Sequence, residues 1–408
     1  MDHDLWFTTE NVKEIPVEII DRQSDDLWIK VQLEASKEPF QFDERPPIRF
    51  ILIQSQKVSE LIILCHNIIC DELSLAYLAR DIMTHLGEPT KEAEILPHPV
   101  PIEMNNLPNG VSLGSITKFF VNRINNQWKK QQIDFDQEDY LNINEAYWSN
   151  AKHRIISVEL NELQTTRLIQ KCREENVTVN SALATAFSGA QQIIQGDKNE
   201  FTIIGITGNL RDNLRITAGE GMGFYAGVVT LYYPYNREKP FWENAQTFNK
   251  TTQPLYTNKN LFKEELTWCY LEPAILEAFN FKKLGYLVSE TAPRYDKLSA
   301  FSNRVDLVSS ILKRENMETF NEIIMGTTVT NLTNLDFPRK YGDLELNRLI
   351  MTPGGAFPLT NVGLVLGAVT CSGKLSLVVK YDEGTVETET ILKVKEKVMS
   401  FLLEEVVE

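Results

Sequence analysis

The sequence predicts an α/β (α+β) protein in which mixed sheets and helices are shared between two domains or lobes. Three observations carry this. The chain has 408 residues, enough to bury a large core in more than one compact unit. Its hydrophobic content of 43% and charged content of 24% are ordinary for a globular protein. Short apolar runs bounded by turn residues alternate with stretches whose apolar residues recur at helical spacing.

Residues 1–60 read mostly as strands joined by short turns. The candidates are Val17-Glu18-Ile19-Ile20, Leu27-Trp28-Ile29-Lys30-Val31 and Ile48-Arg49-Phe50-Ile51-Leu52-Ile53, the last announced by Pro46-Pro47. Leu61-Ile62-Ile63-Leu64 is short enough for a buried strand. The polar turn Cys65-His66-Asn67-Ile68-Ile69-Cys70-Asp71-Glu72-Leu73-Ser74 follows it. Leu75, Leu78, Ala79 and Ile82 then mark a helix that stops near Gly87-Glu88-Pro89. A strand and a helix hold such a turn rigidly, which suits it to chemistry. Residues 88–112 contain five prolines and several asparagines, so an extended loop is expected there rather than a packed element. A helix is expected over 114–131, then an exposed crossing segment to about 153.

A second unit starts with the strand Arg154-Ile155-Ile156-Ser157-Val158-Glu159-Leu160 and a helix over about 161–175 with Leu163, Leu168 and Ile169 along one side. Asn176-Val177-Thr178-Val179-Asn180-Ser181 leads into a helix through Ile194, with Asn180 as its N-cap. Phe201-Thr202-Ile203-Ile204-Gly205-Ile206-Thr207 reads as a buried strand that ends in Gly208-Asn209-Leu210-Arg211-Asp212-Asn213-Leu214-Arg215. There is no internal repeat or low-complexity tract.

The net charge of −15 argues against nucleic acid as a partner, since a polyanion rewards clustered Lys and Arg. Solubility is the simplest use of that charge, and docking to a basic partner is the other. The five cysteines are odd in number and irregularly spaced, which favours free thiols in a reducing cytoplasm over a disulfide framework. Cys65, His66 and Cys70 have no second ligand cluster, so they read as buried apolar cysteines beside a strand end, and no metal is expected. No apolar run is long enough for a transmembrane segment, and no basic, apolar leader opens the chain.

The turn at 65–74 resembles the HHxxxDG motif of the condensation-domain and chloramphenicol-acetyltransferase-like acyltransferase superfamily. Aligned on Asp71, the first motif His is His66 and the second is replaced by Asn67. Ile68-Ile69-Cys70 fill the variable places, and Glu72 stands where Gly is usual. The resemblance continues in order through Val177-Thr178-Val179-Asn180-Ser181-Ala182-Leu183, Asn209-Leu210-Arg211, Gly221-Met222-Gly223-Phe224-Tyr225-Ala226-Gly227, Thr330-Asn331-Leu332-Thr333-Asn334-Leu335-Asp336 and the closing strand Gly373–Asp382. It implies a two-lobe fold, each lobe a mixed sheet with helices, and a tunnel between them. The N-terminal lobe would be 1–150 and carry the motif loop; the C-terminal lobe would be 151–408. Family members open with a strand and a helix before the region matched by Met1–Leu27, so the resemblance also implies that these are missing here.

The family's reaction moves an acyl group from an acyl-CoA or phosphopantetheine-linked thioester to a small-molecule alcohol or amine, with no bound cofactor. An acyl or peptidyl carrier protein is the implied donor partner. The candidate catalytic set is Asn67, His66, Asp71 and Glu72. Asn67 occupies the position credited with base function. A carboxamide does not titrate near neutrality, so it can position an acceptor but not deprotonate it; the other reading is a turn residue with no chemical task. His66 reads as a histidine hydrogen-bonded within the lobe, or as the remnant of the catalytic pair. By resemblance Asp71 is structural and pairs with Arg211, with Arg215 as second choice, while its place before a helix also suits an N-cap. Glu72 is either an exposed first-turn carboxylate or a base that compensates for Asn67. Tyr225, Thr330 and Asn331 are candidate tunnel residues. Phe224, Tyr232, Tyr233 and Tyr235 line the same tunnel or pack as strand core. Pro353-Gly354-Gly355 lacks a following GK[ST] and reads as a plain turn. Two functions stay open: a thioester-dependent acyltransferase, or a catalytically silent homologue that binds an acyl carrier or a synthetase module.

Overall fold

The computed structural model describes residues 12 and 14–403, apart from 94–95, 97–98, 132, 197, 315–322 and 355–360. The expectation about the chain's opening elements falls mainly on residues outside this set. Two mixed sheets organise the fold. The smaller comprises β1 (Val17–Asp21), β2 (Ile48–Gln54) and β3 (Ser59–Cys65), in that order, with β1 parallel and β3 antiparallel to β2. Helix α1 (Leu27–Lys37) connects β1 to β2, and α2 (Glu72–Gly87) follows β3. Helices α3 (Ser115–Gln131) and α4 (Gln137–Asn150) then lead to β4 (His153–Leu160) of the larger sheet.

The larger sheet continues after α5 (Glu162–Glu174) and α6 (Val179–Gln195) with β5 (Ile203–Asn209) and β6 (Ala226–Tyr232). Six helices come next: α7 (Phe241–Thr252), α8 (Asn258–Leu261), α9 (Lys263–Trp268), α10 (Pro273–Leu284), α11 (Tyr295–Asn303) and α12 (Leu307–Arg314). Strand β7 (Met325–Leu335), the short hairpin β8 (Lys340–Tyr341) and β9 (Leu344–Glu345), β10 (Val362–Cys371), β11 (Lys374–Asp382) and α13 (Thr388–Leu403) complete the described chain. The order across the large sheet is β4-β11-β10-β7-β5-β6, with β7 parallel to both β10 and β5 and the remaining pairs antiparallel.

Period-two alternation sorts the two faces of this sheet. Leu375, Leu377, Val379 and Tyr381 of β11 join α6 and α13 in the largest core cluster. Val378, between them, points the other way to Trp28 of α1, Ile53 of β2 and Ile155 of β4, which ties the small sheet to the large one. Further along that face Val365 packs with Trp128, Tyr147, Phe281 and Phe301 from the helices. Residues Ser181 to Gln192 of α6 are all buried, as expected for a helix enclosed by a sheet and other helices.

Several expectations are corrected. Leu27–Val31 is the first turn and a half of α1, not a strand. Its run of β-formers arises because the helix is wedged between the sheets: Trp28 is buried, and Leu27, Ile29, Val31 and Leu33 are partly buried around it. The segment before 153 is the packed helix α4 rather than an exposed crossing. It buries Asp139, Asn142 and Asn144 beside Ile143, Ala146 and Tyr147, so polar residues masked its buried face. The buried Asp139 carboxylate is held by Lys297 and capped in a box with Asp136. The cap of α6 is Thr178, whose Oγ1 accepts the Ser181 N–H at 3.0 Å; Asn180 already lies inside the helix. Residues 88–112 contain no helix or strand among those described, yet Leu107 and Val111 are buried against Leu210 and Tyr225.

Candidate active site

The motif turn links the end of β3 to the start of α2. Asp71 caps α2: its Oδ1 accepts the Ser74 N–H at 2.8 Å. Arg211, in the turn just after β5, reaches the same carboxylate bidentately, with Nη1 to Oδ2 and Nη2 to Oδ1 both at 2.7 Å. Both side chains are almost fully buried. Oδ2 also accepts the Tyr225 N–H at 3.0 Å, and the Tyr225 ring lies 4.7 Å beneath the guanidinium. The Ser74 hydroxyl accepts from Arg211 Nη2 at 2.7 Å and stands 2.9 Å from both Asp71 Oδ1 and the Gly223 carbonyl. The Asp71 N–H donates to that carbonyl at 3.0 Å. Two segments 140 residues apart are thereby fixed through planar, charge-assisted hydrogen bonds. Arg80 of α2 adds a second bidentate link, to Glu220.

Within this pinned turn, His66 faces inward. Its Nδ1 accepts the Ile68 N–H at 3.2 Å, and its ring packs edge-on against Phe40 and Phe42. Burial pushes its pKa down, so the imidazole is neutral. Its carbonyl lies 3.6 Å from Cys65 Sγ and 3.8 Å from Cys70 Sγ. All five cysteines are free thiols.

Asn67 is exposed, whereas Glu72 is half-buried. This corrects the reading of Glu72 as an exposed first-turn residue. The two side chains converge on Gly354: a methyl group placed there would lie 3.4 Å from Asn67 Nδ2 and 3.5 Å from Glu72 Oε1. The Gly354 N–H donates to Glu72 Oε1 over a long 3.4 Å. Burial raises the Glu72 carboxyl above its ordinary range; its own backbone N–H in the first turn of α2 opposes this, and the Asp71 charge adds to it. Met351 and Pro353 of the same segment lie over Gly367 of β10, where a methyl group would come within 2.5 Å of the Met351 carbonyl and 2.9 Å of Pro353 Cδ. A carboxylate of raised basicity and a carboxamide therefore face one another's neighbourhood above the large sheet. Such a pair can accept a proton and donate a hydrogen bond.

The other candidates are placed elsewhere. Arg215 donates to the Asn105 carbonyl at 3.4 Å and takes no part in the Asp71 pair. Tyr225 is buried, with its ring on Arg211 and its hydroxyl donating to the Val100 carbonyl at 2.7 Å. Thr330 is buried in β7 opposite Gly367. Asn331 Oδ1 accepts the Thr333 N–H at 2.8 Å, at a bulge where Leu332 and Thr333 oppose Val369 alone and Thr333 has φ +60°. Tyr233 and Tyr235 belong to the main core, and Tyr232 is exposed. Gly354 and Ser74 were missed. A glycine beside proline signals only a turn, and a serine three residues after a helix cap carries no mark of the three residues its hydroxyl joins, Asp71, Arg211 and Gly223.

No protein-family model and no curated protein sequence matches the chain. Solved structures do. The epimerization domain from the third module of tyrocidine synthetase B superposes with a TM-score of 0.54 at 14% identity, covering 96% of this chain and 79% of that one. The first condensation domain of the CDA synthetase gives 0.54 at 10% identity, covering 97% and 77%. The chain has the condensation-domain fold. SgcC5 protein from Streptomyces globisporus shares it, with a TM-score of 0.51 at 10% identity and coverage of 96% and 80%. In this condensation-domain fold the Asp71–Arg211 pair joins the turn after the small sheet to the turn after β5, the strand next to the edge of the large one.

Proposed function

We propose that this chain is a thioester-dependent acyltransferase of the condensation type, moving an acyl group from a CoA or carrier-protein thioester to a hydroxyl or amine acceptor. The observation that carries the reading is the convergence of Asn67 and Glu72 on Gly354, beside a turn pinned by Asp71 and Arg211. The acceptor O–H or N–H attacks the thioester carbonyl carbon. A C–O or C–N bond forms, the C–S bond breaks, and the acceptor's proton ends on the departing sulfur. Glu72 takes that proton in transit, as a carboxylate made more basic by its burial. The Asn67 amide hydrogen-bonds the acceptor or the developing oxyanion. The neutral His66 supports the turn from within and does not touch the reactants. The phosphopantetheine arm belongs to the substrate and not to a resident cofactor.

On the same reading the lobes divide at 1–150 and 151–408, the thioester and the acceptor approach through a tunnel between them, and the setting is cytoplasmic. Asn67 also favours a second reading, a silent homologue that holds an acyl carrier without turnover, because a carboxamide cannot act as a base near neutrality. The test is free-thiol release from a panel of acyl thioesters with mixed alcohols and amines. Turnover by the wild type supports acyl transfer through Glu72, and turnover by Asn67→His alone supports the silent reading. A wild type that turns over is expected to gain no more than about tenfold from Asn67→His, since a base is already present.

A further inference from the structure

Lys380 stands in the middle of β11, opposite Val365 of β10 and Ile155 of β4, on the sheet face that meets α1 and α4. It is 4% exposed, and no hydrogen-bond acceptor or carboxylate among the described residues reaches its amine. His153 lies two residues before Ile155 on the same face, so it is the diagonal neighbour of Lys380, about 7–8 Å away between backbones. It too is 4% exposed; Nε2 meets the Tyr147 hydroxyl at 2.6 Å, and Nδ1 is buried without a partner. The hydrogen between Nε2 and the Tyr147 hydroxyl can sit on either atom; in the tautomer in which Tyr147 donates to Nε2, Nδ1 carries the ring hydrogen and is a donor. The Trp148 ring lies 4.6 Å from His153, and its indole Nε1, like His153 Nδ1, is buried without a partner. Trp148 also lines a cleft of about 440 Å³ between the end of α1 and α4, with Pro39 and Leu141 as its apolar part and Lys37, Asn144, Glu145 and Ser149 as its polar part.

Buried polar groups are almost always paired, and three neighbouring nitrogens without a hydrogen-bond partner, two of them fully buried ring nitrogens and one of these, Trp148, on the wall of a cleft, are a pattern rather than a stray defect. Two are neutral and one is a cation, so the complement is an anion with several lone pairs. We propose that Lys380, His153 and Trp148 form a buried site for the carboxylate of a small organic acid, entered from the cleft between α1 and α4. The apolar flanks, Ile155 and Val365 on the strands and Leu141 and Pro39 in the cleft, suit the hydrocarbon part of such a ligand. Burial depresses the Lys380 amine to about 7, and burial with the Lys380 charge holds His153 at about 3, so an incoming carboxylate restores a compensated ammonium beside a neutral imidazole. Val378, two residues back along β11, pairs with Gly367 beneath Met351 and Pro353, so this site shares a sheet face with Gly354. It does not require turnover at Asn67 or Glu72.

The probes are hexanoate and hexan-1-ol, titrated calorimetrically into the full chain at neutral pH. Wild type is expected to bind hexanoate at least about tenfold more tightly than hexanol, Lys380→Met to lose that preference, and Trp148→Phe to weaken hexanoate by about three- to tenfold. In the wild type, the indole N–H resonance assigned to Trp148 through Trp148→Phe should move on adding hexanoate, which decides the matter even if Lys380→Met does not fold. Equal or absent binding of the two probes by wild type, a preference that survives Lys380→Met, or an unmoved indole resonance overturns the proposal. Donors satisfied by water alone would give the first of these.

Discussion

Asp71 and Arg211 exchange two hydrogen bonds of 2.7 Å in surroundings where neither charge would be stable alone. Arg211→Met leaves the carboxylate with backbone and hydroxyl donors but no countercharge, and should cost about 3–5 kcal/mol in urea unfolding. A loss below 1 kcal/mol would mean that the turn does not depend on the pair. Glu72 has the opposite electrostatic problem, a carboxyl raised above its ordinary 4.5 by burial. The native state then holds a proton that the unfolded chain has released. The stabilisation from this group is complete below about pH 4.5 and is lost as pH rises through the raised value. Glu72→Gln should remove that slope from urea midpoints measured between about pH 4 and 8, and an unchanged slope would contradict the assignment. Sequence pointed to Asp71 and Arg211 because the motif and the strand-end segment each carry a recognisable pattern. It did not point to Gly354, which matters through what its missing side chain leaves open.

Helix ends and helix faces account for most of what the sequence concealed. Thr178, not Asn180, supplies the oxygen that caps α6, because Val179 is already helical and the cap must precede it. Thr178→Ala should lower stability by about 1 kcal/mol, whereas Asn180→Ala should stay within about 0.5 kcal/mol in the same denaturation series. Helix α1 looked like a strand because it is apolar on more than one side, and α4 looked like an exposed linker because the residues it buries include Asp139, Asn142 and Asn144. A one-sided apolar stripe is legible in sequence; a helix enclosed on several sides, or one that buries polar groups against partners from α11, is not. The strand–turn–helix from Ser59 to Gly87 was legible because an apolar run, a polar turn and a helical period follow one another without overlap.

The molecule as a whole is a small sheet and a large one joined by both apolar and ionic contacts, among them Arg80 with Glu220 and Glu60 with Arg348. Trp28 and Ile53 meet Ile155 and Val378 in an apolar contact, and Asp71 meets Arg211 in an ionic one. Order along the chain was legible, but the docking of the sheets was not, since it depends on contacts between residues hundreds of positions apart. In the proposed function a turn fixed by that ionic contact supports acyl transfer with Glu72 as the base. The most direct test is single-turnover thiol release from an acyl thioester, with the acylated product identified by mass, for wild type and Glu72→Gln at matched folding. Turnover by wild type and a loss of about 10²–10⁴-fold in Glu72→Gln are expected. Equal rates in the two proteins, or no acylated product from wild type with any thioester and acceptor, would contradict it.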